Sequence, residues 1–267
     1  MDDRRIRIGL SCLLLVMAAS IPDTARASED AADTKEIGIA ETIVNDYRAF
    51  YSHKRLTRMG LGFGAGAIVA NTNIDRYVQD RYQSGLRNSG TDDFGDVAKV
   101  FGEGKYLIPI ALLSAGTKYI DDNSPIGAWG AYTSRAYLAG GPAALLMQTV
   151  TGGSRPGESE NDSRWRPFDD NNGVSGHAFI GAVPFLTLSR MIEDNDLLKY
   201  LACAGSFLAA WSRVNDDAHY LSQAALGWYM AWESVDAVFA SEKKRGNVSI
   251  VPTIDANSSM LSLVIEW

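Results

Sequence analysis

Apolar residues recur at helical spacing along most of the chain. Residues 35–51 begin this pattern, with Ile39, Ile43 and Tyr47 among the candidate inward positions. Similar patterns, or apolar runs of helical length, predict helices at residues 35–51, 73–83, 91–101, 106–115, 125–149, 175–191, 197–212 and 218–239. The chain is therefore predicted to be mainly α, with a single helical-bundle domain.

Several local signals refine these helices. Thr91 precedes two aspartates and is predicted to be an N-cap, and Ser124 precedes Pro125 at another predicted helix start. The apolar residues 106–115 predict a buried helix. Alternating glycines at residues 60–66 fit either close helix packing or a non-helical turn, whereas two glycines before Pro142 predict a break or kink.

Two segments lack the helical pattern. Residues 151–174 are rich in Gly, Ser, Asn, Asp and Pro and predict one long loop, and loops of this length are usually functional or disordered. Near the C terminus, residues 248–251 and 261–265 resemble short strands around a polar turn. We therefore expect a helical domain at residues 28–245 and a C-terminal β-hairpin extension at residues 246–267.

The N terminus has the composition of a signal peptide. Arginines precede an apolar run at residues 8–19, and a small-residue pattern ends at Ala27. A membrane anchor would need about 20 apolar residues, so this run is short for one. Residues 1–27 are therefore predicted to be a cleaved signal peptide that exports the protein, most simply to a bacterial periplasm.

Charge and cysteine content narrow the function classes. A formal net charge of −7 argues against nucleic acid as a partner, because general nucleic-acid binding needs a basic face. Any anion site must then be a local cluster of basic residues. After cleavage only Cys203 remains, which leaves no internal disulfide, and its apolar surroundings predict a buried thiol.

The candidate chemistry lies in three short segments. They read QTVTGGSRP at residues 148–156, VSGH at residues 174–177 and SRVNDDAHYLSQ at residues 212–223. Each alone has an ordinary structural explanation, such as a loop, a helix cap or a core histidine. Two of the three histidines in the chain, His177 and His219, fall within these segments.

The order and spacing of the segments resemble the signature of the type-2 phosphatidic acid phosphatase superfamily, K-x6-R-P, P-S-G-H and S-R-x5-H-x3-D. The superfamily includes bacterial acid phosphatases, lipid phosphatases and vanadium haloperoxidases. The resemblance covers residues 148–223 and extends loosely to the preceding helices. It implies an all-helical fold of the acid phosphatase and haloperoxidase type, and hydrolysis of phosphomonoesters, either lipid or soluble.

The resemblance also implies which side chains bind phosphate. Arg155 and Arg213 each present paired donors to phosphate oxygens. Ser175 and the N–H groups around Gly176 would lie at a helix N-terminus, which suits an anion.

The same resemblance assigns the chemical steps to the two histidines. His219 would attack phosphorus and form a phosphohistidine, and His177 would protonate the leaving alcohol and then activate water. The scheme needs no metal or other cofactor, and vanadate would bind only as a phosphate mimic.

Two charged members of the signature are replaced by glutamine. Gln148 stands at the lysine position, so one cationic donor is missing, and Arg164 or Arg166 in the same loop is a candidate substitute. Gln223 stands at the aspartate position, one helical turn after His219. Its carbonyl can still accept the imidazole N–H, but without charge. Val174 replaces a proline and is expected to affect loop stiffness more than chemistry.

These replacements leave several hypotheses. The first is an active phosphatase acting on a small phosphorylated molecule or a lipid phosphate, with association to a membrane surface left open. The second is a phosphate- or lipid-headgroup-binding protein that has lost catalysis. A vanadium haloperoxidase and a structural envelope protein fit the motifs less well. Trp165 and Phe168 would either contact an apolar leaving group or anchor the long loop.

Overall fold

The computed structural model describes residues 38–160, 162–246, 248–255 and 258–265. The predicted signal peptide, residues 1–27, lies outside this part of the chain. The predicted mainly helical class is confirmed. The helices are α1 (Ile39–Phe50), α2 (His53–Asn71), α3 (Ile74–Gly85), α4 (Ser89–Ala98), α5 (Gly104–Gly116), α6 (Pro125–Thr151), α7 (Gly176–Met191), α8 (Asp196–Gly205), α9 (Leu208–Asn215) and α10 (Leu221–Gly246).

Short elements complete the fold. One 3₁₀ turn, Lys99–Gly102, links α4 to the residue before α5, and another, Thr117–Tyr119, follows α5. After α10 the backbone forms β1 (Val248–Asp255) and β2 (Ser258–Ile265), which pair antiparallel with Val248 opposite Ile265 and Asp255 opposite Ser258.

The core lies between α6, α7 and α10. α7 is buried along almost its whole length, and it contributes Phe179 and Val183 to a cluster with Met230 and Val235 of α10. α1 and α2 pack on the outer side of α10, and Phe50 of α1 is fully buried there. Because α7 and α10 are held so tightly, the residues at their N-terminal ends have fixed positions.

Glycines allow helices to approach closely where the sequence predicted interruptions. A Cβ on Gly62 would lie 2.4 Å from the Tyr229 ring, and one on Gly66 would lie 2.8 Å from Leu226. Gly62 and Gly66 therefore serve helix packing within a continuous α2, whereas a Cβ on Gly60 or Gly64 would meet open space. The predicted break near Pro142 is wrong, since α6 runs through it, and Gly140 instead makes room for Ser234 of α10.

Other predicted boundaries also need correction. Asn88, not Thr91, caps α4, because its side chain accepts from the N–H groups of Gly90 and Thr91 in a capping box. The predicted helix 197–212 is two helices. They separate at Ser206, whose hydroxyl donates to the Cys203 carbonyl and accepts from the indole N–H of Trp228.

Two predictions of burial hold only in part. α5 buries Leu107 and Ala111, but Leu112 and Leu113 on its other face are 57% and 76% exposed. Cys203 is half-buried rather than buried, because α8 packs on one side only. None of the helices described is long and apolar enough to cross a membrane.

Buried ion pairs join α2 to α10. Arg55 Nη1 lies 2.6 Å from Glu233 Oε2 and 2.9 Å from Asp236 Oδ2, and Arg58 Nη2 lies 2.7 Å from the same Glu233 oxygen. The side chain of Glu233 is completely buried, so its charge depends on these two arginines.

Candidate active site

The three motif segments meet at the N-terminal ends of α7 and α10. The Ser175 N–H donates to the Gln223 carbonyl at 2.9 Å, and the Gln223 side-chain Nε2 donates to the Ser154 carbonyl at 2.7 Å. Gln148 Nε2 donates to the Val174 carbonyl at 2.9 Å. These bonds place residues that are distant in sequence around one site, as the resemblance implied.

The long loop begins at a position that requires glycine. Gly152 ends α6 with a left-handed backbone, φ 62°, and a Cβ there would lie 1.7 Å from the Arg166 carbonyl oxygen. The loop turns sharply at this point. Ser154, the carbonyl partner of Gln223, follows two residues later.

The environment of Gln223 fixes the protonation of the His219 ring. Gln223 Oε1 accepts from the Tyr220 N–H at 3.1 Å, and Nε2 donates to the Ser154 carbonyl. Because a backbone N–H can only donate and a carbonyl can only accept, these partners identify the oxygen and the nitrogen of the amide. His219 Nδ1 lies 2.9 Å from the same Oε1 and must therefore carry the proton of the neutral ring. This tautomer leaves a lone pair on Nε2.

Burial keeps that ring neutral. His219 is 4% exposed, and desolvation lowers its pKa to about 4, with the nearby charges of Arg213 and Arg155 adding to the effect. The hydrogen bond to Gln223 acts in the opposite direction but does not offset burial. Above about pH 4, Nε2 of His219 therefore carries an unprotonated lone pair.

The two predicted phosphate-binding arginines face the same space. Arg213 follows Ser212 on α9, and its buried Nε has no hydrogen-bond partner among the described residues, while Nη1 makes only a 3.4 Å contact to Asp216. Burial and the positive charge of Arg155 lower the pKa of Arg213. Arg155 Nε donates to Asn172 at 2.9 Å, which orients the guanidinium. An oxyanion between the arginines would accept the hydrogen bond that Arg213 Nε lacks, and its negative charge would offset the repulsion between the two guanidinium groups.

The N-terminus of α7 adds backbone donors. Ser175 is its N-cap, and the hydroxyl oxygen accepts from the Ala178 N–H at 3.3 Å. The Ser175 N–H is already used by Gln223, so the N–H groups that remain for an anion are those of Gly176 and His177. A Cβ on Gly176 would lie 3.2 Å from Gln148 Nε2.

His177 occupies the first turn of α7 and is partly exposed. Its Nε2 lies 3.8 Å from Oε1 of Glu103, a residue that the sequence patterns did not indicate. Desolvation and the charges of Arg213 and Arg155 lower the pKa of His177, and Glu103 opposes them. In the sequence, Glu103 is marked only by the glycines on either side of it, Gly102 and Gly104. The structure shows that Gly102 lies close to His177 at the start of α7.

Arg164 and Trp165 of the long loop make contacts outside this cluster. Arg164 donates to Asn73 at 3.0 Å and faces Asp162, which directs it away from the lysine position it was a candidate to replace. The Trp165 ring packs 6.3 Å from that of Phe63, so it anchors the loop to the core. Phe168 is 74% exposed. Within the described residues, no group of three or more His, Cys, Asp or Glu side chains is arranged to hold a metal ion.

Comparison with known proteins agrees with this geometry. Residues 136–246 match the model of the PAP2 superfamily, a segment that contains every motif residue discussed above and runs from α6 to the end of α10. No curated protein and no solved structure matches the chain. The motif order and the helical fold agree with this match, which supports membership of the PAP2 superfamily.

Proposed function

We propose that the protein is an exported phosphatase that hydrolyses phosphomonoesters through a phosphohistidine on His219. The PAP2 superfamily consists generally of phosphatases, so activity on phosphate esters is the function that membership supports. The finer assignments rest on the contacts of the site.

The observation that carries the proposal is the orientation of Gln223. Its oxygen accepts from His219 Nδ1 at 2.9 Å, while its nitrogen is committed to the Ser154 carbonyl at 2.7 Å. A phosphate-binding site has no need of a neutral imidazole with a defined tautomer, whereas a nitrogen nucleophile requires one. Glutamine thus supplies the orienting function of the aspartate in the superfamily motif.

The arginines supply the second requirement of phosphoryl transfer. Charge spreads over the equatorial oxygens of the transferring group, and fixed donors at those oxygens lower the barrier. Arg213, whose buried Nε has no hydrogen-bond partner in the described part of the chain, and Arg155 face this position together with the N–H groups of Gly176 and His177.

The proposed reaction has two steps. His219 Nε2 attacks phosphorus, the bond to the leaving oxygen breaks, and protonated His177 donates a proton to that oxygen. Neutral His177 then accepts a proton from water, whose oxygen attacks the phosphohistidine. The phosphorus–nitrogen bond breaks, and phosphate and neutral His219 result.

A second candidate function follows from the glutamines. Gln148 is uncharged and donates to the Val174 carbonyl, so it adds no positive charge at the phosphate position. Gln223 is also uncharged and adds no negative charge beside His219. A protein that binds phosphate or a lipid headgroup without turnover would have these properties. Export, predicted from residues 1–27, applies to both candidates and is tested by cell fractionation.

Phosphate release separates the two functions. We expect the purified protein to release phosphate from aryl, nucleotide or lipid phosphates, His219→Ala to abolish release, and His53→Ala, a change at the start of α2 away from the motif residues, to leave it intact. An acid-labile, base-stable phosphoprotein should accumulate after rapid quenching. Binding of phosphate or vanadate by the folded protein, with no release from any substrate, would instead establish the binding function.

A further inference from the structure

Glu103 lies beside the proposed general acid but outside the three motifs. Its Oε1 is 3.8 Å from His177 Nε2, and its Oε2 is 3.4 Å from Lys105 Nζ. The side chain is 20% exposed, so the charge is only partly screened by water. The carboxylate is therefore placed between the histidine and a surface lysine.

The backbone around Glu103 is held tightly against α7. A Cβ on Gly102 would lie 3.0 Å from both the Cβ and the carbonyl oxygen of His177. One residue earlier, the Phe101 carbonyl oxygen would lie 2.5 Å from a Cβ on Gly181, and the Phe101 ring packs edge-on against Phe185. These close contacts at Phe101 and Gly102 hold Glu103 near the start of α7.

The charges around His177 make this carboxylate significant. Arg213, Arg155 and the buried side of the ring favour neutral imidazole, and His219 lies close by. Glu103 is the carboxylate that favours the imidazolium. No hydrogen bond to His177 Nδ1 is formed by the described residues, so this nitrogen is free for a leaving oxygen.

We propose that Glu103 is a positioning residue that orients His177 through Nε2 and stabilises its protonated form, so that Nδ1 donates the proton to the leaving alcohol. This inference rests on the proposed phosphatase function. The 3.8 Å separation is an ion-pair distance, and contacts of this kind commonly shorten when substrate is bound.

The consequence is a defined dependence on pH and on the leaving group. The first step needs neutral His219 and protonated His177, so the loss of protonated His177 sets the alkaline limb of the kcat/KM profile. Glu103→Gln should move this limb about one pH unit lower, because an opposite charge at such a distance shifts a pKa by roughly that amount. Release from an alkyl phosphate should fall about tenfold or more, whereas an aryl phosphate with an acidic leaving group needs little proton donation.

The experiment compares Glu103→Gln with Lys105→Gln, which removes the other ion-pair partner of Glu103. We expect Lys105→Gln to leave the alkaline limb in place or move it upward. Proton NMR titration of the imidazoles provides a readout that does not require turnover, and Glu103→Gln should lower the pKa of His177 by about one unit. An unchanged titration and an equal effect on alkyl and aryl phosphates would overturn the role of Glu103, even with an active wild type. An inactive wild type with the expected titration shift would overturn the phosphatase function alone.

Discussion

Replacing Gln223 by leucine tests the central feature of the site. Leucine has a similar size but no polar atoms, so the change removes the shared acceptor of His219 Nδ1 and the Tyr220 N–H and the donor to the Ser154 carbonyl. Gln223 is completely buried, and water is a poor replacement for these partners.

The magnitude follows from the number of groups left without partners. A buried donor or acceptor without its partner costs about 1–3 kcal/mol, so the three groups together should lower the free energy of unfolding by about 3 kcal/mol or more. Without the glutamine oxygen, nothing selects the Nδ1–H tautomer. In the serine-protease triad, the wrong tautomer lowers kcat by about 10⁴, and we expect a loss of about 10²–10⁴ here.

Urea denaturation and single-turnover phosphate release measure the two effects separately. Gln83→Leu is the matched control, because Gln83 also donates to a buried backbone carbonyl, that of Val214 at 2.8 Å, but does not contact either histidine. The control should lose about 1 kcal/mol of stability and keep its turnover. A Gln223→Leu protein that turns over at the wild-type rate while folded would refute the argument that this amide selects the tautomer.

Three further predictions concern stability. Unfolded His219 binds a proton near pH 6.5 and folded His219 only near pH 4, so the free energy of unfolding of the wild type should fall by up to about 3 kcal/mol as the pH is lowered from 6.5 to 4. Urea denaturation of His219→Gln should show a smaller decrease over the same pH range. Gly227→Ala places a Cβ 2.3 Å from the Ser175 carbonyl oxygen, so it should cost about 1–3 kcal/mol and reduce phosphate release, with Ala225→Gly as the control for helix propensity. Glu233→Gln leaves Arg55 and Arg58 to share the Asp236 carboxylate and should lower the free energy of unfolding by about 1–3 kcal/mol, and an equal stability at pH 7 would contradict it.

Helix positions were predictable from the sequence because they depend on local pattern. Ser124 with Pro125 and Ser175 before Gly176 marked their helix starts correctly. The errors occurred where long-range contacts override local preference. Gly140 and Gly141 precede Pro142 but lie inside α6, where Gly140 makes room for Ser234 of α10.

The site was predictable only where residues share a motif. His177, His219, Arg155 and Arg213 were identified from order and spacing, and the structure brings them together, although their roles stay predictions. Glu103 was not identified, since it lies on a different helix-to-helix connection and reaches His177 only through the packing of α7. A single acidic residue between glycines carries no signal that separates it from an ordinary turn.

The two glutamines are better understood together than separately. Relative to the superfamily motif, Gln148 removes one positive charge and Gln223 removes one negative charge, so the net charge of the constellation is unchanged. Both amides also form specific bonds, Gln148 to the Val174 carbonyl and Gln223 to Ser154, Tyr220 and His219, which a random loss of function would not be expected to produce. With fewer charges of both signs, the electrostatic balance at His177 depends more strongly on Glu103, Arg155 and Arg213. Two glutamines that form specific hydrogen bonds in place of the lysine and aspartate are therefore consistent with the proposed phosphatase function.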